Sequence, residues 1–576
     1  CIRDSPGSPV PDPTPPAAPR RSTLRRYAPL VAVVAVIAIV VGVIAAVSGG
    51  GGGGAKPKAR PGPSGGPLTF DQAKARGLNV NWGPKCDTNT GRVAVPLSYA
   101  PPCVQPWNGG DNGGATAPGV TADTITIALY QTQPDPLQQA IFQSNGSDES
   151  LNAELRTVQA YVDFFQTHYE TYGRKIRVVP IKASGDPTDD VAAKADAVKV
   201  ATELHAFASF GGPSLTNAYA DELARRGVLC LGECTLAETT DFLRTRAPYV
   251  WPGLPAPDQA AIAWAQFVYT ELSGKPAVHA GDPKLRRQKR TFGIVRFDDG
   301  LGTFDATAAA FKATLAQHHT QVAVDLKYPF DLSQAQAQAR TVVASLKTAG
   351  VTSVVVAADP IFPSYLTKEA TAQGYFPEWV VMGYAYTDTA VFARTYDQRQ
   401  WAHAFGVSAL PARTAESVDQ FATILQWQTG KPPEAKTYPV LVESPLIFFT
   451  GVHLAGPHLT AATFRDGLFR YPADRPIVPT LLHTSWGNHG IWPSTDYTWG
   501  DDFTVIWWDP NVSGPDEVGN AGKGLYRYAL GGARYLPGQW PKDVGLYNTA
   551  QSFTVLRTLS GDEKPPTYPS PASTTH

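Results

Sequence analysis

The sequence predicts an α/β protein with two doubly wound parallel-sheet lobes and an interlobe cleft, preceded by a single transmembrane helix. A chain of 576 residues is too long for one ordinary hydrophobic core. Short apolar strands alternate with amphipathic helices in two successive sets. Such alternation is typical of right-handed crossovers and parallel sheets. A separate apolar segment without charge precedes both sets.

Eight parts follow from these patterns and from the shifts in composition along the chain. They are a cytoplasmic disordered arm (1–27), a transmembrane anchor or signal segment (28–47), a flexible linker (48–67), a small cysteine-containing cap (68–118), lobe I (119–265), lobe II (266–405), a return to lobe I (406–490) and a C-terminal segment that belongs partly to lobe II (491–576).

The apolar segment 28–47, APLVAVVAVIAIVVGVIAAV, is long enough to cross a bilayer once. Four arginines within residues 20–26 precede it and predict that the N-terminal arm stays in the cytoplasm. We therefore expect a single-pass membrane protein whose main part is extracytoplasmic. The alternative is a cleaved signal peptide, with Ala46, Val47 and Ser48 as the small-residue site and a secreted product.

Four of the five cysteines follow the Gly/Pro-rich linker, and an even number fits an oxidising compartment. Of three possible connectivities, the sequence-near one pairs Cys86 with Cys103 and Cys230 with Cys234. Two buried thiols are the alternative for Cys230 and Cys234. No metal site and no cofactor is predicted, because no matching ligand cluster lies near them.

Net charge is −1 and only 17% of the residues are charged. Phosphate binding needs a basic face, so this balance argues against a nucleic-acid partner.

The first set opens at GVTADTITIALY, where Ile125, Ile127 and Leu129 alternate with smaller residues, as expected for a strand. In the helix that follows, Leu155, Val158 and Val162 recur at three and four residues. The predicted elements after the first strand are a helix (151–170), a strand (175–183), a helix (191–205), a strand (206–212), a helix (215–227) and a strand (228–233).

The second set begins at RTFGIVRFDDG and repeats the alternation. Its predicted elements are strand 290–300, helix 303–318, strand 320–330, helix 333–350, strand 352–360, helix 365–375 and strand 378–385. A late strand in DDFTVIWWDP (501–510) is predicted to pair within the second lobe.

Several segments, taken in order, resemble the type I periplasmic binding proteins, in particular the branched-chain amino acid (leucine/isoleucine/valine-type) solute-binding subunits of ABC transporters. They are GVTADTITIALY, GRKIRVVPIKASGDPTDDVAAKADAVKV, FASFGGPSLTNAYADELARRGVLCLGE, FGIVRFDDGLGTFDATAAAFKATL, VTSVVVAADPIFPSYLTKEATAQGY and GVHLAGPHLTAATFRDGLF. The resemblance covers Gly119 to Phe469. It implies a non-enzymatic protein that captures a small solute, an amino acid or a related amide or acid, and delivers it to the membrane subunits of an ABC permease.

The resemblance and the rule that ligands lie beyond the carboxyl ends of parallel strands indicate the same loops. The first of these loops is 211–216, and the resemblance implies that the ligand's carboxylate binds there. Gly212 lets the backbone approach a ligand, and Ser214 and Thr216 offer hydroxyls. Ser214 is also in place to cap the following helix.

Five further residues lie at other strand ends and complete the predicted ligand site. They are Glu233, Thr235, Asp298, Asp359 and Tyr384. Glu233 is the residue suited to accept a ligand ammonium. Leu301 stands where the family commonly has an aromatic residue, which leaves the amino-acid specificity open.

Two other functions remain open at this point. A ligand-sensing ectodomain of the same fold would report occupancy without transport. A cell-envelope enzyme on this fold would need a reactive carboxylate pair, and Glu233 with Asp298 or Asp359 is the available combination.

Overall fold

The computed structural model describes residues 65–133, 150–235, 238–329, 331–383 and 386–574. The predicted anchor, 28–47, lies outside these residues and stays a prediction. Within the described part, one helical stretch, Tyr438–Ala455, is long and apolar enough to cross a membrane. Because 72% of it is buried inside the protein, it has the character of a core helix.

Lobe I is built on a five-stranded parallel sheet with the order β4-β3-β5-β6-β7. Its strands are β3 (Thr124–Gln131), β4 (Lys175–Lys182), β5 (Ala208–Phe210), β6 (Leu229–Leu231) and β7 (Val250–Trp251). The helices between them are α2 (Leu151–His168), α3 (Asp190–Thr202), α4 (Ala218–Arg225) and α5 (Thr240–Arg246). Ile125 and Ile127 are fully buried because helices cover both faces of the sheet. The strand order reverses beside β3, which places a crevice at the carboxyl ends of β3 and β5.

Lobe II contains an eight-stranded sheet whose main path is β14-β13-β12-β11-β10-β8-β9, with β15 paired to β13. The strands are β8 (Phe292–Asp298), β9 (Val322–Pro329), β10 (Ser353–Ala357), β11 (Glu378–Gly383), β12 (Ala404–Ser408), β13 (Phe503–Pro515), β14 (Ala521–Tyr528) and β15 (Arg534–Tyr535). The helices that accompany them are α6 (Pro257–Phe267), α7 (Thr303–Gln317), α8 (Ala335–Thr348), α9 (Phe362–Ala372), α10 (Ala390–Ala393) and α11 (Gln398–Trp401). Strands β8 to β11 are parallel, as predicted, and β12, which the sequence did not predict, extends the parallel set. The predicted late strand is confirmed as β13, which pairs antiparallel with β12 and β14.

The chain crosses between the lobes after β7, after β12 and before β13. The predicted boundary at residues 265 and 266 falls inside α6, which packs with α7 of lobe II. Arg534 holds two crossings together, because its guanidinium donates to Asp502 at 3.0 Å and to the carbonyl of Leu410 at 2.7 Å. Both Arg534 and Asp502 are buried.

The segment after the second crossing returns to lobe I. Its helices are α12 (Gln420–Thr429), α13 (Tyr438–Leu441), α14 (Glu443–Ala455) and α15 (Ala461–Leu468). Helices α14 and α15 approach closely at Gly467, where an added Cβ would lie 2.5 Å from the carbonyl oxygen of Gly451. This contact lets the apolar helix α14 pack tightly beneath the sheet.

The segments at the two ends of the described chain also pack on lobe I. The N-terminal segment contains α1 (Phe70–Ala75) and a two-stranded ribbon, β1 (Cys86–Asp87) and β2 (Arg92–Val93), and Val95 and Leu97 in it belong to the lobe I core. The predicted Cys86–Cys103 disulfide is present. The tail pairs with lobe II at Phe553 and reaches lobe I at Tyr568, whose carbonyl accepts a hydrogen bond from the Trp427 indole at 3.0 Å.

Candidate functional site

A hydrogen bond between the two lobes marks the place where the carboxyl ends of their strands meet. Glu233 follows β6 of lobe I, and Tyr386 follows β11 of lobe II. The Tyr386 hydroxyl donates to Glu233 Oε1 at 2.8 Å. Tyr386 has a positive φ of 65°, which is costly for a bulky residue. The surrounding structure therefore holds this tyrosine in an unfavourable backbone conformation at the cleft, and such strain is concentrated at functional sites.

The loop that carries Glu233 is fixed from three directions. The predicted Cys230–Cys234 disulfide is present and closes the loop on both sides of Glu233. The amide of Gly212 donates to the Glu233 carbonyl at 3.1 Å, which joins the loop after β5 to the loop after β6. The Ser444 hydroxyl donates to the carbonyl of Leu231 at 2.9 Å. The Glu233 carboxylate is therefore presented on a constrained backbone.

Two further carboxyl groups lie close enough to Glu233 to feel its charge. Glu238 is buried and accepts a hydrogen bond from the Cys234 amide at 3.3 Å. Glu443 begins α14, and its carboxylate lies against the backbone of Gly253. The three carboxyl groups thus come from the loop after β6 of lobe I, which carries two of them, and from the start of the returning helix.

The electrostatics of this cluster favour neutral acids. Solvent in the cleft reaches Glu233, but the surrounding protein desolvates its carboxylate and raises its pKa, an effect that the Tyr386 hydroxyl opposes. Burial and then the charge of Glu233 raise the pKa of Glu443 to about 8. Burial also raises the pKa of Glu238 well above its usual value, although the Cys234 amide opposes it. The charge of Glu233, followed by burial, raises the pKa of the Tyr386 phenol.

The predicted residues of lobe I are brought together around the Glu233 loop, but their side chains have different partners. Thr216 is fully buried, and its hydroxyl donates to Asp190 while accepting from the Ala218 amide. The Thr235 hydroxyl donates to Asn217 Oδ1 at 2.9 Å. Both threonines thus stabilise the start of α4. Ser214 is half-buried, and its hydroxyl has no hydrogen-bond partner within the described part of the chain.

The predicted residues of lobe II lie at strand ends as expected, with local partners. Asp298 forms an ion pair with Lys327 at 3.0 Å. Asp359 accepts from the Tyr328 hydroxyl at 2.5 Å and from the backbone amides that open α9. Burial raises the pKa of Asp359, and the Tyr328 hydrogen bond opposes this. Tyr384 lies outside the described residues.

Sequence reasoning missed three members of the cluster. Tyr386 is two residues beyond the predicted Tyr384, and Glu238 lies five residues beyond Glu233 in the same loop. The rule that ligands lie beyond strand ends already indicated the loops after β6 and β11, so it could have led to Glu238 and Tyr386. Glu443 gives no such signal, because it opens a helix far along the chain that only the tertiary fold brings to β6.

A family model described as periplasmic binding protein matches residues 142–491, which is more than half of the chain. The chain belongs to the periplasmic binding protein family. The resemblance to its type I members is thereby confirmed. No curated protein sequence matches this periplasmic binding protein.

Solved structures of similar proteins include three with bound ligands. The branched-chain amino acid transporter substrate-binding protein LivJ of Streptococcus pneumoniae, in complex with isoleucine, has 14% identity and a TM-score of 0.46, with 70% of this chain and 100% of that chain covered. An ABC transporter solute-binding protein of Rhodopseudomonas palustris, in complex with 4-hydroxybenzoate, has 13% identity and a TM-score of 0.49, with 74% and 100% covered. Another from Rhodopseudomonas palustris BisB5, in complex with 3,4-dihydroxybenzoic acid, has 11% identity and a TM-score of 0.47, with 72% and 98% covered.

Proposed function

We propose that this periplasmic binding protein captures a small solute between its lobes on the extracytoplasmic side of a membrane and delivers it to an ABC permease. The observation that carries the proposal is the Tyr386–Glu233 hydrogen bond, which joins the two lobes at their strand ends. A solute that contacts both lobes only when they are close together stabilises the closed state, so binding shifts the population toward it. The permease would then recognise the closed protein.

The polar groups of the cleft suit a ligand with an amino group, such as an amino acid or a related amide. Glu233 and Glu443 supply carboxylate oxygens that accept from an ammonium or amide N–H. We assign the Ser214 hydroxyl to the opposite end of the ligand, where a carboxylate or carbonyl oxygen would accept its hydrogen bond. Gly212 leaves room for the ligand there, while its amide holds the Glu233 loop. Thr216, Thr235, Asp298 and Asp359 keep supporting roles in this proposal, since each already has a local partner.

No specific observation favours an enzyme. The carboxylate pair that a cell-envelope enzyme would use combines Glu233 with Asp298 or Asp359. Within the described residues, Asp298 is paired with Lys327 and Asp359 caps its own helix. Within the described residues, neither aspartate forms a hydrogen bond with Glu233.

Thermal unfolding of the full chain in detergent tests the proposal against a panel of amino acids, amides, aromatic acids and sugars. A ligand that binds only the folded protein at 100 times its Kd adds about 2.7 kcal/mol of stability and raises the Tm. We expect Glu233→Gln to abolish the shift that a hit produces. The matched control is Glu203→Gln, an exposed residue just after α3, which should leave the shift unchanged. A folded protein whose Tm no solute raises would refute the proposal.

Delivery to a permease needs a separate measurement. Crosslinking of the full chain in membranes, with and without the solute found above, should trap a membrane subunit more strongly when the solute is present. Equal trapping in both conditions would argue for a partner other than a transporter that reads the closed state.

A further inference from the structure

The three carboxyl groups of the cleft share one unusual property, which is the absence of a balancing cation. Within the described residues, none of Glu233, Glu238 and Glu443 forms an ion pair with lysine, arginine or histidine. The internal segments outside the description, 134–149, 236–237, 330 and 384–385, contain no basic residue in their sequence. Among the described residues and these internal segments, no side chain therefore supplies a cation that pairs with the cluster, and a ligand ammonium would fill that role.

Carboxyl groups that share a desolvated site cannot all ionise, because each charge opposes the next. A ligand ammonium removes this opposition, since it is attractive to every member of the cluster at once. A ligand carboxylate has the reverse effect, because its charge further opposes the ionisation of each of them. The cluster thus distinguishes solutes by their net charge as well as by their shape.

Tyr386 adds an independent feature that suits a cation. Its side chain is 37% exposed at the cleft although it is a large aromatic residue. Ammonium groups are attracted to the face of a tyrosine ring. Its hydroxyl is already committed to Glu233, so the ring rather than the hydroxyl is the free surface. Glu443 is also available to an ammonium group, because its carboxyl group has no hydrogen-bond partner within the described part of the chain.

We propose that the cleft selects solutes of net positive charge, with an ammonium group shared by Glu233 and Glu443 beside the ring of Tyr386. This inference rests on the proposed function, since it names the ligand class of the same site. The solutes that fit are cationic amines, including basic amino acids, amino acid amides and short diamines. Zwitterions with a free carboxylate bind more weakly, and carboxylates without an amino group do not bind.

Three compounds on one carbon skeleton test the preference by isothermal titration with the full chain. Leucinamide carries a net charge of +1, leucine is a zwitterion, and 4-methylpentanoate carries −1. We expect leucinamide to bind at least tenfold more tightly than leucine, and 4-methylpentanoate not to bind. Arginine and 1,4-diaminobutane extend the series to cations of other shapes. A leucine affinity equal to or above that of leucinamide, with no tighter binding by the other two cations, would overturn the inference.

Variants and salt then connect the preference to the cluster. The double variant Glu233→Gln with Glu443→Gln should lose the cation preference by at least tenfold, whereas Glu203→Gln should keep it. The glutamines preserve side-chain shape, and circular dichroism would check that the variants fold. A second measurement needs no variant: raising the salt concentration should weaken cation binding to the wild type more than zwitterion binding. A preference that survives both the double substitution and high salt would also overturn the inference.

The two proposals fail in different ways. If leucine or 4-methylpentanoate binds best, the cleft binds solutes and only the charge selectivity is wrong. If no compound of any charge class binds a folded protein, the proposed function itself is wrong, and the charge selectivity is lost with it.

Discussion

Replacing Glu443 with glutamine should remove a large pH dependence from the stability of the ligand-free protein. The pKa of this carboxyl group is raised to about 8, first by burial and then by the charge of Glu233. In the unfolded chain it ionises near its usual pKa of about 4.5. The folded protein therefore holds a proton on Glu443 over a range of pH in which the unfolded chain has released it.

The sign and the size of the effect follow from proton linkage. Below pH 4.5 both states are protonated, and the contribution of Glu443 to stability is fully present. As the pH rises toward 8 the unfolded state binds fewer protons than the folded state, so the free energy of unfolding falls by up to about 1.4 kcal/mol per pH unit. Between pH 5 and pH 8 the wild type should thus lose about 2 to 4 kcal/mol that Glu443→Gln does not lose.

Guanidinium unfolding of the ligand-free wild type and of Glu443→Gln at pH 5, 6, 7 and 8 measures this difference. Glu203→Gln serves as the control for the loss of an exposed carboxylate. The stability of wild type minus that of Glu443→Gln should decrease steadily with pH, while the control should follow the wild type. A difference that stays constant within about 0.5 kcal/mol, the usual size of surface effects, would show that Glu443 is solvated and that the cluster lacks the electrostatics described above.

Three further predictions concern the support of the cleft. Arg534→Met should lower the free energy of unfolding by about 3 to 5 kcal/mol, because it leaves the buried carboxylate of Asp502 unpaired. Urea denaturation would measure this loss, and a value below 1 kcal/mol would contradict the role of Arg534 between the crossings. Burial lowers the pKa of His483, but the hydrogen bond and charge of Asp501 outweigh this effect, so the pKa is raised. The stability that His483 contributes is therefore lost as the pH rises through its folded pKa. Asp501→Asn should lower the pKa of His483 in an NMR titration, whereas an unchanged titration would argue against the pair. Gly467→Ala should cost about 1 to 3 kcal/mol through overpacking against α14, and a stability within 0.5 kcal/mol of wild type in thermal unfolding would show that the helices separate freely.

The alternation of strands and helices was readable from sequence because each parallel strand is buried on both faces. Ile127 lies in an uninterrupted apolar run for this reason, and so does Val355 in lobe II. The rule for strand ends also indicated the loop of Glu233, where Tyr386 donates its hydrogen bond. The local sequence pattern was enough to predict the secondary structure wherever a strand, a loop and a helix follow one another directly.

The remaining features depend on contacts between distant segments. Strand β14 is antiparallel and half-exposed, so it has neither the apolar run nor the helix that marked the other strands. Most of helix α6 lies within the predicted lobe I, yet its apolar side packs on α7 of lobe II. Glu443 reaches the cleft only because α14 returns beneath the first sheet. No spacing rule connects residues that are so far apart in sequence.

The tail described above has a mechanical consequence for any opening of the cleft. It leaves lobe II at Phe553, runs beside the second crossing through the pairing of Leu556 with Thr414, and finishes on lobe I, where the Tyr568 hydroxyl donates to Asp87 at 3.0 Å. This passage joins lobe II to lobe I beside the crossings, so a rotation of one lobe against the other must bend the tail as well as the crossings. Because the N-terminal segment and the tail both pack on lobe I, an opening of the cleft would separate lobe II from lobe I together with both of these segments.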